Sequence, residues 1–138
     1  MNPQLPPRPS PEITAYASPF WAAAREHRLV VQHCERCDRF QHYPRPWCTN
    51  CLGNELRWVD ASGHGTVYSF TVVRRTANPA FVDRVPYVLA LVDLDEGVRL
   101  TTNIVGCAPS DVFVGQRVRV CFEEIDDSHT AVLFTPEA

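Results

Sequence analysis

Two Cys-x-x-Cys pairs, Cys34 with Cys37 and Cys48 with Cys51, stand ten residues apart in this chain, and no other feature limits its fold so tightly. Each pair makes a short turn that aims two thiolates at one point. Two such turns on neighbouring hairpins complete a tetrahedron, with metal–sulfur bonds of about 2.3 Å for zinc. Four sulfur ligands leave no open coordination position, so the metal is expected to be structural rather than catalytic. A unit of about thirty residues buries too little apolar surface to fold alone. Metal binding supplies the deficit, of order 10 kcal/mol in small sites. Zinc (Zn2+) is the expected occupant; rubredoxin-type iron is the alternative that four cysteines also suit. His33 and His42 flank the pairs and are read as surface groups, since four thiolates already suffice.

The remaining cysteines, Cys107 and Cys121, lie far apart and outside any motif, so they read as small, half-buried residues. A disulfide framework is not expected. The segment Met1 to Pro11 carries five prolines and lacks the charged start and apolar middle of a secretory signal. No apolar run is long enough to cross a bilayer. A reducing, cytoplasmic setting is therefore expected, with no membrane partner.

Local patterns predict a mainly β chain in three parts: a disordered, proline-rich tail over residues 1–14, an N-terminal helix with a zinc ribbon over 15–60, and a small barrel over 61–138. Ser18-Pro19 reads as a helix start, with Ser18 as N-cap and Pro19 at the first helical position. Phe20, Trp21 and Ala24 form the expected buried face. Short strands are predicted at Leu29 to His33, Phe40 to Tyr43 and Leu56 to Val59, alternating with the cysteine turns as in a zinc ribbon. Beyond Gly63, five further strands are predicted: Thr66 to Arg74, Tyr87 to Asp93, Val98 to Val105, Gln116 to Glu124 and Thr130 to Phe134. The turn Asp95-Glu96-Gly97 joins two of them as a hairpin, and its acidic residues read as a solvated end. Five short strands in about seventy residues suit a small closed barrel of the OB type.

The chemistry-bearing residues are sparse. There is no Gly-x-Ser-x-Gly elbow and no phosphate-cradling glycine loop followed by a helix. His64 lies between Gly63 and Gly65, which read as a tight bend entering the barrel rather than as a catalytic setting. The loop Arg74 to Arg84 carries three arginines, Arg74, Arg75 and Arg84, with Phe81 among them. Arginine forks suit phosphate and an aromatic ring suits adenine, so these four residues are candidate contacts for coenzyme A; partner docking and a plain solvated loop stay open beside that reading. The formal charge is −3, and all 13 basic residues are arginine. A net negative chain is a poor general binder of nucleic-acid backbones. A single-stranded nucleic-acid module is still the alternative, because OB barrels serve that role through aromatic platforms, for which Tyr68, Phe70 and Tyr87 are candidates.

Taken together, the motifs resemble those of the DUF35 family, the OB-fold proteins with a rubredoxin-like zinc ribbon, also described as acyl-CoA-associated OB-fold proteins. The elements are Pro19-Phe20-Trp21 in the first helix, a Leu-rich strand from Leu29 to Cys34, the two cysteine pairs with Tyr43-Pro44-Arg45 between them, and Ser62-Gly63-His64-Gly65-Thr66-Val67-Tyr68-Ser69 at the barrel entry. The late strand from Gly115 to Phe122 completes the pattern. Two departures are visible. Asp38 follows Cys37 where the family usually has glycine, and Thr49 follows Cys48 where it usually has proline. Aspartate tolerates the left-handed turn that glycine would adopt. The resemblance implies a non-catalytic subunit beside a thiolase-like enzyme or a hotdog-fold hydratase, acting on acyl-CoA thioesters in lipid or steroid side-chain metabolism. It also implies a hetero-oligomer in which the partner carries the catalytic residues. The aromatics Phe20, Trp21, Phe40, Trp47 and Trp58 are many for so small a ribbon, and Arg45 and Trp47 are the expected partner contacts.

Overall fold

The computed structural model describes residues 6–137. Residues 1–5, within the expected disordered tail, lie outside the described residues. Residues 6–14 form no regular element, but they are not free of the barrel. Arg8 Nη2 lies 3.0 Å from Glu123 and Ser10 donates to Asp126 at 2.6 Å.

The helix α1 spans Ser18–Arg25, and its start corrects the expectation from the sequence. The N-cap is Ala17, with no side-chain cap bond, and Ser18 is already helical. A turn closed by Ala17 N–H donating to Thr14 O at 3.1 Å feeds the chain into the helix one residue early. The buried face is Phe20, Ala23 and Ala24, and Trp21 is half-buried against Phe20 in an edge-to-face pair at 5.2 Å. His27, with φ at 58°, ends the helix and turns the chain into the ribbon.

The ribbon is a three-stranded antiparallel sheet in the order β2-β1-β3, with β1 at Val30–Cys34, β2 at Arg39–Gln41 and β3 at Leu56–Asp60. The central strand β1 pairs Cys34 with Arg39 on one side and with Leu56 on the other, which places the first cysteine at the end of the sheet. Gln32 and Gln41 are buried opposite each other. Gln41 donates to Gln32 at 2.8 Å and to the Trp47 carbonyl at 3.2 Å, while Gln32 binds the Arg45 backbone. These amides hold the loop between the cysteine pairs, a task that backbone pairing leaves undone there.

The strands β4 (His64–Val73), β5 (Tyr87–Leu94), β6 (Arg99–Ile104), β7 (Arg117–Glu124) and β8 (Thr130–Pro136) form a closed barrel in the order β4-β5-β6-β8-β7. Closure needs one parallel contact, Ile104 beside Phe134, and the return of β7 onto the start of β4. This is the five-stranded OB arrangement expected from the strand count. Alternation along β5 buries Val88, Ala90, Val92 and Leu94 in turn, as period-2 patterning requires. Gly65 is needed for closure, since a Cβ there would stand 2.7 Å from the Asp93 carbonyl oxygen. Gly63 takes φ at 84° and makes the bend expected before the barrel, whereas Gly65, expected to share it, lies within β4 and pairs with Leu94 and Val118. One core runs through both parts: Phe20, Leu29 and Val31 from the helix and ribbon pack with Val67, Val92, Val118 and Phe134 of the barrel. The acidic hairpin end is tied down more firmly than a solvated cluster. Asp93 takes a two-pronged contact from Arg99, and Asp95 takes one from Arg117.

Candidate metal centre and ligand cleft

The two cysteine turns share one backbone design. Asp38 N–H donates to Cys34 O at 2.8 Å, and Leu52 N–H donates to Cys48 O at 2.9 Å. The residue after each pair is left-handed, with φ at 53° for Asp38 and 62° for Leu52. Such a φ favours glycine. Asp38 offsets its cost by joining His33 Nε2 at 2.8 Å, so the departure from glycine brings a hydrogen bond with it.

The four sulfurs converge. Cys34 and Cys51 lie 3.8 Å apart, Cys37 and Cys48 4.0 Å apart, and all four sulfurs fall within 4.8 Å of one another. A zinc tetrahedron with 2.3 Å bonds has edges of about 3.8 Å. The sulfurs therefore fit a tetrahedral metal ion without a fifth ligand. N–H groups also aim at them: the backbones of Cys37, Asn50, Cys51 and Gly53 donate at 3.3 to 3.5 Å, and the Asn50 side chain donates to Cys37 at 3.3 Å. Donors of this kind stabilise thiolates. The backbone N–H groups of Cys51 and Asn50 draw the Cys48 thiol down to about 6. At Cys51 the Gly53 N–H pulls the same way, yet the sulfurs of Cys37, Cys48 and Cys34 push it up to about 11. Four thiolates this close repel one another, and a divalent cation is what lets all four ionise together.

The flanking histidines are not the surface groups expected. His33 is only 15% exposed, held between Glu35 at 3.1 Å and Asp38 at 2.8 Å, with its ring against Phe40. Those hydrogen bonds, Glu35 first, raise its pKa. His42 packs between the rings of Phe20 at 5.3 Å and Tyr43 at 4.3 Å, and its Nδ1 is buried without a partner among the described residues. Burial, aided by the Arg45 charge, pushes it down to about 4. Both were drawn inward by aromatic neighbours that the sequence does not place. Cys107 and Cys121 are half-buried, as expected.

The candidate coenzyme A residues divide. Phe81 and Arg84 line a cleft of about 460 Å³ between the start of β5, the end of β6 and the loop after it. Arg74 and Arg75 leave the end of β4, exposed and away from that cleft, and neither has an ion-pair partner among the described residues. Arg8 and Glu123 complete the cleft wall, and both were missed. Arg8 is the only basic residue in a proline-rich segment, and nothing in the sequence pairs it with β7. His64 is exposed at the first position of β4 and pairs with Glu137. Of the ribbon aromatics, Trp47 is 50% exposed and Tyr43 48%, whereas Phe20 is buried and Trp58 half-buried. Tyr43 donates to Thr101 at 2.8 Å, which sets the ribbon loop beside a shallow groove lined by Phe70, Leu89, Leu91 and Thr101.

Family models match both parts of the chain: a ChsH2 rubredoxin-like zinc ribbon domain over residues 21–57 and a ChsH2 C-terminal OB-fold domain over residues 58–123. A DUF35 domain-containing scaffold protein of Methanocaldococcus jannaschii is 34% identical over 78% of this chain and 77% of its own length. The chain belongs to the DUF35 family. A probable enoyl-CoA hydratase alpha subunit of Thermomonospora curvata is 40% identical over 94% of this chain, and the match spans 40% of that relative's length. Among solved structures, a chain of an Ltp2-ChsH2(DUF35) aldolase superposes with a TM-score of 0.83 at 40% identity, covering 91% of this chain and 98% of that one. The family's zinc ribbon agrees with the converging sulfurs and supports zinc binding. Among the described residues, no helix is long and apolar enough to cross a membrane.

Proposed function

We propose that this DUF35 chain is a non-catalytic subunit of an enzyme complex acting on acyl-CoA thioesters, docked on a thiolase-like or hotdog-fold hydratase partner. The observation that carries the reading is the match to a chain of an Ltp2-ChsH2(DUF35) aldolase, at 40% identity and covering 98% of that chain. The hydratase alpha subunit, which holds a comparable stretch within a longer chain, agrees with it.

The surface offers a face for such a partner. Trp47, Tyr43 and Arg45 project from the loop between the cysteine pairs, and the barrel groove at Leu89 and Thr101 continues that face. Exposed aromatics beside arginine are frequent interface anchors. Gln41 and Gln32 tie this loop to the sheet that the cysteine turns close. Zinc would act here as a structural clamp held by Cys34, Cys37, Cys48 and Cys51. His64 lies exposed at the barrel surface, paired with Glu137.

The test is size-exclusion chromatography of the chain with and without a candidate thiolase-like or hydratase subunit, followed by an acyl-CoA assay. Co-elution, with turnover only when the partner is present, is expected. Robust turnover by this chain alone, or failure to associate with either class, overturns the proposal.

A further inference from the structure

Arg8 Nη2 and Arg84 Nη2 each stand 3.0 Å from the same oxygen of Glu123, inside the 460 Å³ cleft. Two guanidinium charges thus share one carboxylate, and the trio is one negative charge short. Arg8 is only 18% exposed, so its charge is partly withdrawn from water. Such a group calls for a full anionic partner. The remainder of the cleft is of another kind. Phe81 and Tyr87 stand 6.2 Å apart with their rings tilted by 44°, and Ile104 and Leu133 continue the apolar lining. The volume falls within the usual range for small-molecule sites.

We propose that this cleft binds the 3′-phosphoadenosine end of a CoA thioester, with Arg8 and Arg84 gripping the 3′-phosphate and the Phe81–Tyr87 pair forming a wall against which the adenine lies. The ligand's identity rests on the acyl-CoA reading above; the paired arginines and aromatic wall rest on geometry alone. A phosphomonoester carries a charge of about −1.5 to −2 near neutral pH, which matches the guanidinium pair. Arginine forks grip such a group through paired N–H bonds. The pantetheine arm of CoA carries no charge and would leave both arginines unused. Glu123 holds the two arginines at the ready, then competes with the phosphate once it arrives. Arg8 belongs to the segment before α1, so ligand binding also bears on how that segment lies against β7. Arg74 and Arg75 take no part in this grip.

Calorimetric titration of the full zinc-loaded chain with CoA, dephospho-CoA and adenosine 3′,5′-bisphosphate tests the assignment. CoA and the bisphosphate are expected to bind with similar affinity, and dephospho-CoA about tenfold or more weakly, as loss of a paired arginine–phosphate contact implies. Arg8→Ala and Arg84→Ala should each remove that discrimination, and Glu123→Gln should tighten CoA binding by removing the competitor. Zinc content and circular dichroism establish that each variant is folded. Equal affinity for CoA and dephospho-CoA, no binding of any of the three, or unchanged discrimination in both arginine variants overturns the cleft assignment. Chromatography with the partner separates the two ideas. A complex that forms without CoA discrimination sinks only the cleft, and discrimination without a complex sinks only the subunit reading.

Discussion

His42 should make the ribbon acid-sensitive through one buried proton. The imidazole lies between Phe20 and Tyr43, its Nδ1 has no partner among the described residues, and burial lowers its pKa from 6.5 to about 4. The folded value lies below the unfolded one, so the stabilising contribution is complete above pH 6.5 and lost as pH falls towards 4. The difference of about 2.5 units corresponds to about 3 kcal/mol over the whole range. About 2 kcal/mol of that falls between pH 7 and pH 5. Cysteine protonation also weakens metal binding as pH falls, so wild type must be compared with His42→Phe, which keeps the ring stack and removes the titrating group. Urea unfolding at saturating zinc, at pH 7, 6 and 5, reads the difference. The variant should gain on wild type by about 2 kcal/mol over that span. Parallel pH profiles for the two proteins would show that His42 is either solvated or protonated in the fold, and the reasoning would fail.

Other outcomes follow from the same structure. Cys48→Ser should lose the bound zinc and unfold the ribbon, whereas Cys107→Ser, outside the sulfur cluster, should retain about one zinc per chain; metal analysis of the purified proteins reads both. Leu52 is 74% exposed yet holds φ at 62°, so Leu52→Gly should relieve strain at little cost in burial and raise stability by about 1 kcal/mol. A lowered melting temperature for that variant would count against a strained knuckle. Single-stranded DNA or RNA should bind weakly and be released by moderate salt, given the formal charge of −3. Length-dependent submicromolar binding in fluorescence anisotropy at physiological salt would instead favour the nucleic-acid module.

The ribbon and barrel were legible in the sequence because their signals are local. Cysteine spacing defines the turns, and β-branched alternation in Tyr87 to Leu94 defines a half-buried strand with its inward set. The left-handed residue after Cys37 was readable too, since only a few residue types tolerate that φ. What escaped depends on pairing across the chain. Ser10 meets Asp126 over a separation of 116 residues, and Arg8 meets Glu123 in the same manner. Proline-rich composition speaks against regular structure but not against an extended segment lying along a barrel. The helix start slipped by one residue because a backbone turn at Thr14 to Ala17, rather than the Ser18 hydroxyl, leads into it. Within the arginine loop, composition cannot distinguish Arg84, which folds back onto β7, from Arg74 and Arg75, which do not.

The most direct test of the subunit reading is affinity purification of the tagged chain from its own host at native expression, with identification and quantification of whatever accompanies it. A thiolase-like or hydratase subunit in near-stoichiometric amount is the predicted result. A chain that elutes alone, or that carries nucleic acid instead of such an enzyme, would contradict it.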